Sequence, residues 1–326
     1  MLKSKKVTLK EVAAAVNLAV PTVSQILNNR KNFCSAELCE RVRETARKMG
    51  YVTNIGYKIM TGQETHTVGI MVSTPEQMQE NHCRTLVLAL MQNFARIGCA
   101  AFCSILPSDG EKAIEEVRKY IGRGVERFIF IGSPDGQRKI LDMLTAMTIP
   151  FIGNAISFRR YVIADSFAGR NMLLEHIDKL TNGSFLMCWH KSSLQLIDKQ
   201  LSLSDRKEYF LSKLHLIEDC QGDFYEESFR IGYETVEHIL DNHPEIKGVS
   251  MPNDALAIGA ARCIIDRKIS GFHITGCNGE KELQIFPYPI STAVFDMKKI
   301  ADTMTERIFD LDECRVAIPT EMKLFT

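Results

Sequence analysis

No run of eighteen apolar residues occurs anywhere in the 326-residue chain, which argues against a membrane-spanning helix. Residues 1–6 are basic but lead into a polar-patterned segment, without the apolar core of a secretion signal. Export is therefore not expected, and the sequence points to a cytoplasmic protein with no membrane partner. The ten cysteines are scattered. Their closest pairs, Cys34/Cys39 and Cys99/Cys103, miss the C-x-x-C spacing of zinc and redox sites. We expect reduced thiols packed as small hydrophobes, with no disulfide, metal site or cofactor. Also missing are H-E-x-x-H, G-x-S-x-G and phosphate-loop patterns, and Gly122-Arg123-Gly124 is followed by no glycine-bearing helix start. Glu226-Glu227 and Glu280-Lys281-Glu282 read as solvated faces, not as paired acid and base. An enzyme is not expected.

Net charge is zero, but the two ends of the chain differ. Residues 1–65 hold eleven Lys and Arg against five Glu, a charge of +6, which leaves −6 on the remainder. A basic head on an acidic body implies a polyanionic partner for the head alone. The length suits two or three domains, and 45% hydrophobic with 25% charged residues is ordinary globular composition.

The head has helical punctuation. Thr8-Leu9-Lys10-Glu11 is a capping box, after which Leu9, Val12, Ala13 and Val16 recur on one helical face. Asn17 to Val20 interrupt it, and Pro21 suits the first position of a second helix, where its missing N–H costs nothing. Val23, Ile26 and Leu27 then face inward, leaving Thr22, Ser24, Gln25 and Asn28 outward. A third helix opens at Ser35, carries Leu38, Val42, Ala46 and Met49 on one side, and ends at Gly50. This is a helix-turn-helix unit whose second helix exposes short polar groups, the kind that reach base edges and phosphates in a major groove.

Val7-Thr8-Leu9-Lys10-Glu11-Val12-Ala13, followed by Thr22-Val23-Ser24-Gln25-Ile26-Leu27-Asn28, resembles the lactose/galactose repressor (LacI/GalR) family, as do Arg41-Val42, Gly50-Tyr51 and Asn54. The resemblance implies a DNA-binding set of Thr8, Val20, Pro21, Thr22, Ser24, Gln25, Asn28, Asn32, Tyr51 and Asn54. It also implies a hinge helix at 55–62 in which Met60 stands at the position of a minor-groove wedge. Gly56 costs such a helix about 1 kcal/mol, so order is expected there only on DNA. Several positions depart from the family pattern. Ala19 replaces a capping Ser, at about 1 kcal/mol. Val20 offers only apolar contact, Pro21 offers no donor, and Gln25 replaces an Arg, which moves its preference from guanine toward adenine. The operator should differ from the family's consensus.

Beyond residue 66, strand-like runs at 68–72, 100–106, 128–132 and 151–153 alternate with helical runs at 83–97, 111–123 and 137–147. A second series of strands follows at 184–188, 215–219, 248–250 and 273–276. This rhythm indicates parallel sheets covered by helices. Asp165-x-x-x-Gly169 with His176, Asn253-Asp254-Ala255 through Ala260, and Ile274 to Asn278 continue the resemblance. They imply an α/β, periplasmic-binding-protein-like body of two doubly wound parallel-sheet lobes behind the all-α head. The implied boundaries are 1–53 for the head, 54–65 for the hinge and 66–326 for the effector and dimerisation body. Lobe 1 then covers about 66–163 and 292–318, and lobe 2 about 164–291 and 319–326.

Position by position, the resemblance puts Ser73, Asn154, Arg206, Phe224, Asn253 and Asn278 in an effector cleft. Arg206 reads as a clamp for hydroxyls or a carboxylate, Phe224 as a stacking ring, and Asn253 as donor and acceptor. Asn253 and Asp254 also read as caps of the next helix, and Phe224 as core. Asn278 and Gly279 replace two acids of the family, Phe295 a Gln, and Tyr209 a Gly. The implied partners are a double-stranded DNA operator, a small effector such as a sugar or nucleobase, and a second copy of the chain. No C-terminal heptads follow, so a dimer and not a tetramer is expected. Two alternatives stay open: a periplasmic-type solute-binding protein, and a regulator without a small-molecule effector.

Overall fold

A computed structural model of the chain describes residues 7–27, 34–52, 55–60, 62–201, 204–220 and 223–325. Two compact units result, Met1–Thr65 and His66–Thr326.

The head contains α1 (Leu9–Ala15), α2 (Val20–Leu27), α3 (Ala36–Lys48) and the short α4 (Ile55–Met60). The capping box forms at α1: Glu11 N donates to Thr8 Oγ1 at 3.3 Å, while Thr8 N donates to Glu11 Oε2 at 2.7 Å. Helix α2 starts at Val20 and not at Pro21, but Pro21 still lies in the first turn, whose N–H groups lack helical acceptors. Ser35 caps α3 by accepting from Leu38 N at 3.3 Å. Its far end turns through Gly50 at φ +72°, with Tyr51 N donating to Ala46 O. Val12, Ala13, Val16, Val23, Ile26, Val42 and Ala46 close the core between these three helices. Residues 55–60 are helical where the sequence leads one to expect order only on DNA. The bonds Gln63 N to Lys58 O and Gly62 N to Ile59 O close the end of that helix and offset Gly56.

The body begins with β1 (Thr67–Val72), α5 (Asn81–Arg96), β2 (Ala100–Ile105), α6 (Gly110–Gly122), β3 (Arg127–Ile131), α7 (Gln137–Ala146), β4 (Phe151–Gly153) and β5 (Tyr161–Ala164). It continues with α8 (Ser166–Thr181), β6 (Phe185–His190), α9 (Ile197–Gln200), α10 (Lys207–Leu211), β7 (Leu214–Ile217), α11 (Phe224–Asn242), β8 (Gly248–Ser250), α12 (Asp254–Asp266), β9 (His273–Asn278) and β10 (Ile290–Val294). Last come α13 (Met297–Arg307), β11 (Arg315–Ile318) and β12 (Glu321–Phe325).

The first sheet has the order β11-β5-β4-β3-β1-β2, all parallel; the second is β12-β10-β9-β8-β6-β7, with β12 antiparallel to β10. Each contains the doubly wound order in which the first and third strands of the lobe are neighbours. Strand β1 is buried throughout because helices cover both faces of its sheet. Val68, Ile70 and Val72 face a core shared with α5 and α13, while Met71, Phe128 and Phe130 face α6 and α7.

The chain passes between lobes near Asp165, Phe295 and Pro319. Thr292 to Val294 belong to β10, paired with β9, so the second passage falls after Val294 and not at 292. The first and third passages are tied by Asp165 N to Ile318 O at 2.8 Å and Thr320 Oγ1 to Asp165 O at 2.8 Å. The Asp-x-x-x-Gly motif serves this junction: Asp165 caps α8 at Ala168 N, and a Cβ on Gly169 would come within 2.6 Å of Thr320 Cγ2.

Candidate nucleic-acid interface and inter-lobe cleft

Along α2, Val23 and Ile26 point into the head's core. Residues three and four apart share a helical face, so Val20, Pro21, Ser24 and Gln25 form the opposite side. There Val20 and Pro21 are exposed and Thr22, Ser24 and Gln25 half-exposed. The edge therefore carries one amide, two hydroxyls and two apolar groups. Gln25 alone among them carries its donor and its acceptor on separate atoms, the arrangement that pairs bidentately with a base edge. Arg41 and Arg47 are exposed on α3, and Lys10 on α1, as sources of positive charge for a phosphate backbone. Thr8 is engaged in the capping box, and Tyr51 packs half-buried against the head's core. Asn28, Asn32 and Asn54 lie outside the described residues. Met60 ends α4 with 88% of its surface exposed, an apolar side chain without cover in its own unit.

In the body, four of the six cleft candidates stand at or just beyond carboxyl ends of strands, where doubly wound sheets hold ligands. Ser73 follows β1, and its Oγ donates to Ile131 O at 2.8 Å. Asn154 follows β4, and its Oδ1 accepts from Gly132 N at 2.8 Å. Together they frame the crevice between β1 and β3. Across the cleft, Asn253 caps α12 by accepting from Leu256 N at 2.9 Å, as the capping alternative foresaw. Asn278 ends β9 at φ +114°, beside Gly279 at φ +74°. The oxygens of both asparagines on strand-end loops, Asn154 and Asn253, hold backbone in place, and their amide nitrogens remain as donors.

Phe224 opens α11, and its backbone N–H donates to Gln79 Oε1 of lobe 1 at 2.8 Å. Its ring lies edge-on to Tyr225. Arg206 is placed elsewhere. Its guanidinium pairs with Glu175 at 2.8 Å and Asp178 at 2.9 Å on α8, and stacks over Tyr209 at 4.3 Å. Two carboxylates and a ring hold it on lobe 2's own helices, so the structure does not bring it to the other five. Tyr209, which replaces a glycine of the family pattern, supplies both the stacking face and a hydrogen bond to Asp178.

Sequence reasoning missed Gln77 and Gln79, which lie in and beside a 3-10 turn, Glu76–Met78, just after β1. Gln77 lies over Gly132 so closely that a Cβ there would touch its amide, which puts a flexible polar side chain at the crevice floor. Asp254 was also read only as a cap. It is fully buried, accepting from Thr292 Oγ1 at 2.7 Å and from Glu280 N at 2.7 Å, and so ties the ends of β9 and β10. Burial pushes its carboxyl up to about 7, against the lowering effect of the Thr292 hydrogen bond. Glu280 is also buried and raised, and it accepts from Asn81 Nδ2 of lobe 1 at 2.7 Å. A cavity of about 580 Å³ opens alongside, lined by residues of both lobes that include Asn81, His82, Asn278, Phe295 and Lys323.

Residues 8–54 match the family described as bacterial regulatory proteins, lacI family. The maltose regulon regulatory protein MalI of Escherichia coli (strain K12) is 23% identical over 269 residues, 80% of this chain and 75% of that protein. Among solved structures, the lac repressor dimer bound to operator and the anti-inducer ONPF aligns with a TM-score of 0.80 at 18% identity, covering 99% of both chains. A complex of the transcriptional regulator CelR with cellobiose aligns at 0.60, with 18% identity and 98% of each chain covered.

Proposed function

We propose that this chain, which belongs to the lacI family of bacterial regulatory proteins through its 8–54 head, is a DNA-binding transcriptional repressor governed by a sugar-like effector. The observation that carries the reading is the outward edge of α2, Val20 to Gln25, in a head of that family. The α2 edge reads a major-groove half-site, with Gln25 as its base-reading amide, and Met60 wedges the minor groove. One head makes few base contacts, so specificity calls for two heads on a near-palindromic site.

The body supports a dimer with exposed apolar side chains in both lobes. Leu88 is 60% exposed on α5, Phe102 and Ile105 are uncovered on the edge strand β2, and Phe229 and Ile285 are uncovered in lobe 2. The effector lies between Ser73 and Asn154 on one side and Asn253, Asn278 and Phe224 on the other. That set is rich in amides and carries no charge of its own, which suits neutral hydroxyls. Ligand shifts the DNA-bound population by its difference in affinity for the two lobe arrangements. The solute-binding alternative leaves the head without a role. We assign the chain no catalytic step. Among the described residues no helix is long and apolar enough to cross a membrane.

The test is site selection from random duplex DNA with the full chain, then titration of the selected site against a panel of mono- and disaccharides. The expected result is a two-fold symmetric site whose affinity changes at least fivefold with one sugar, and whose preferred bases change in Gln25→Ala. An asymmetric or absent consensus removes the repressor reading. A consensus indifferent to every sugar removes the effector reading alone.

A further inference from the structure

The start of α5 carries a cluster that neither the groove-reading edge nor the amide-lined cleft uses. Glu80 occupies the N-cap position of α5, yet its side chain caps nothing. Its Oε2 instead lies 3.3 Å from His82 Nε2. Cys83 follows on the same turn with its thiol side chain buried. One donor atom from each of the three, a carboxylate oxygen, a ring nitrogen and a thiol sulfur, lies within 4.8 Å of the others. His82 Nδ1 is buried with no hydrogen-bond partner in the structure, an uncommon condition for a polar atom. The Phe295 ring closes one side of the imidazole edge-on, at 6.3 Å between centroids.

We propose that Glu80, His82 and Cys83 form a site for a divalent transition-metal ion of zinc-like character. Mixed oxygen, nitrogen and sulfur donors suit zinc and its neighbours and are poor ligands for magnesium or calcium. Bonds of about 2.0–2.3 Å in a tetrahedral arrangement put donor atoms roughly 3.3–3.8 Å apart. The present spread needs at most about an ångström of side-chain rotation to close. All three residues lie on one turn, so that rotation leaves the backbone alone. Water completes the coordination, while Glu280 of lobe 2, held by Asn81, stands near enough to Glu80 to raise it.

Glu280 brings a second carboxylate close to Glu80, and Arg84 is a cation that acts on Glu280. A bound ion displaces the protons of Glu80 and Cys83 and adds positive charge beside these carboxylates.

The test uses the full chain, stripped with chelator and titrated with cobalt(II) as a spectroscopic probe. The expected result is one equivalent per chain, with thiolate-to-cobalt charge-transfer absorption that zinc(II) displaces. Cys83→Ser abolishes that absorption, and His82→Gln weakens cobalt binding at least tenfold. No thiolate absorption in the wild type, or absorption that survives Cys83→Ser and so comes from another of the cysteines, overturns the site. Where Cys83→Ser costs the fold, as judged by circular dichroism, His82→Gln decides. Unchanged cobalt affinity in that variant also overturns the proposal.

Discussion

The head closes around seven buried side chains, none larger than isoleucine, whereas each lobe of the body encloses phenylalanines against its sheet. A small core buries little apolar area and leaves a domain marginally stable, while a large one tolerates costly exceptions. The body has such exceptions. Asp254 and Glu280 are buried there, while among the described residues the head buries no ionisable group. The difference separates two tasks. The head keeps its proposed reading edge on a scaffold that buries no titratable group among its described residues, and the body stores such groups where the lobes meet.

The most forceful way to break that separation is to damage the larger core. Phe130 is fully buried, stacked on Phe128 at 6.3 Å and on Phe158 at 5.5 Å between centroids. Phe130→Ala should cost the body about 3–5 kcal/mol, read as a lower unfolding midpoint in urea. Head unfolding, followed by Tyr51 fluorescence in a chain whose other tyrosines are replaced, should stay where it was. A joint shift of both transitions would show that the two units unfold as one.

The converse experiment strikes the smaller core. Ile26 lies between the three head helices at 4% exposure. Ile26→Ala should cost about 2–3 kcal/mol, toward the low end for such truncations because a small core collapses readily onto a gap. In so small a unit this suffices to abolish DNA binding at 37 °C, with the body's midpoint unchanged. Retained binding would mean that the head draws stability from beyond its own core.

The same contrast governs what the sequence reveals. In the head every signal is local: Thr8 and Glu11 are three residues apart, Ser35 precedes its helix, and Val23 and Ile26 follow helical spacing. The capping box and the three helices could therefore be read directly. The body's strands were legible where both faces are buried, as in β1 and β3. Strand β5 and the edge strands β11 and β12 were not, because their burial is only partial. The cleft shows the same limit. Ser73, Asn154, Asn253 and Asn278 stand at or just beyond strand ends. Arg206 does not, because Glu175 and Asp178, some thirty residues away in sequence, bind it first. The inward roles of Gln77 and Asp254 depend on Gly132 and Thr292, contacts that no local pattern announces. The Glu80-His82-Cys83 cluster has no familiar ligand spacing, and only burial brings it to notice.

Acidity offers a gentler probe. Asp254 has a folded pKa raised to about 7 from an ordinary value of 3.8, so the fold favours its protonated form. Stability is therefore lost as pH rises from about 3.8 through about 7, at about 1.4 kcal/mol per pH unit at most, and levels off once Asp254 is ionised in the folded state too. Glu80, also raised to about 7, adds a penalty of the same sign. His82, lowered to about 4, acts oppositely and only below about 6.5, where the unfolded chain gains a proton that the folded one refuses. The body's midpoint should thus rise by several degrees from pH 8 to pH 6.5. Asp254→Asn should flatten that rise while lowering the midpoint at pH 6.5, since an amide cannot accept from both Glu280 N and Thr292 Oγ1. The head, with no buried acid among its described residues, should show no such slope. A pH-dependent head would erase the contrast.

The smallest effect concerns Thr8, which family spacing places at the DNA and the structure places in a helix cap. Its hydroxyl donates to Glu11 Oε2 at 2.9 Å, and its Oγ1 accepts from Glu11 N at 3.3 Å. If capping is its work, Thr8→Ala should lower head stability by about 1 kcal/mol. At a temperature well below the head's melting point nearly every head is still folded, so DNA affinity there should be unchanged. Near the melting point affinity should fall with the folded fraction, and Thr8→Asn, which caps equally well, should restore it. A direct phosphate contact gives the opposite signature, with affinity lost at low temperature. Measuring anisotropy against temperature for both variants separates the two roles, and so shows whether the reading surface reaches beyond α2 to the first residue of the head's first cap.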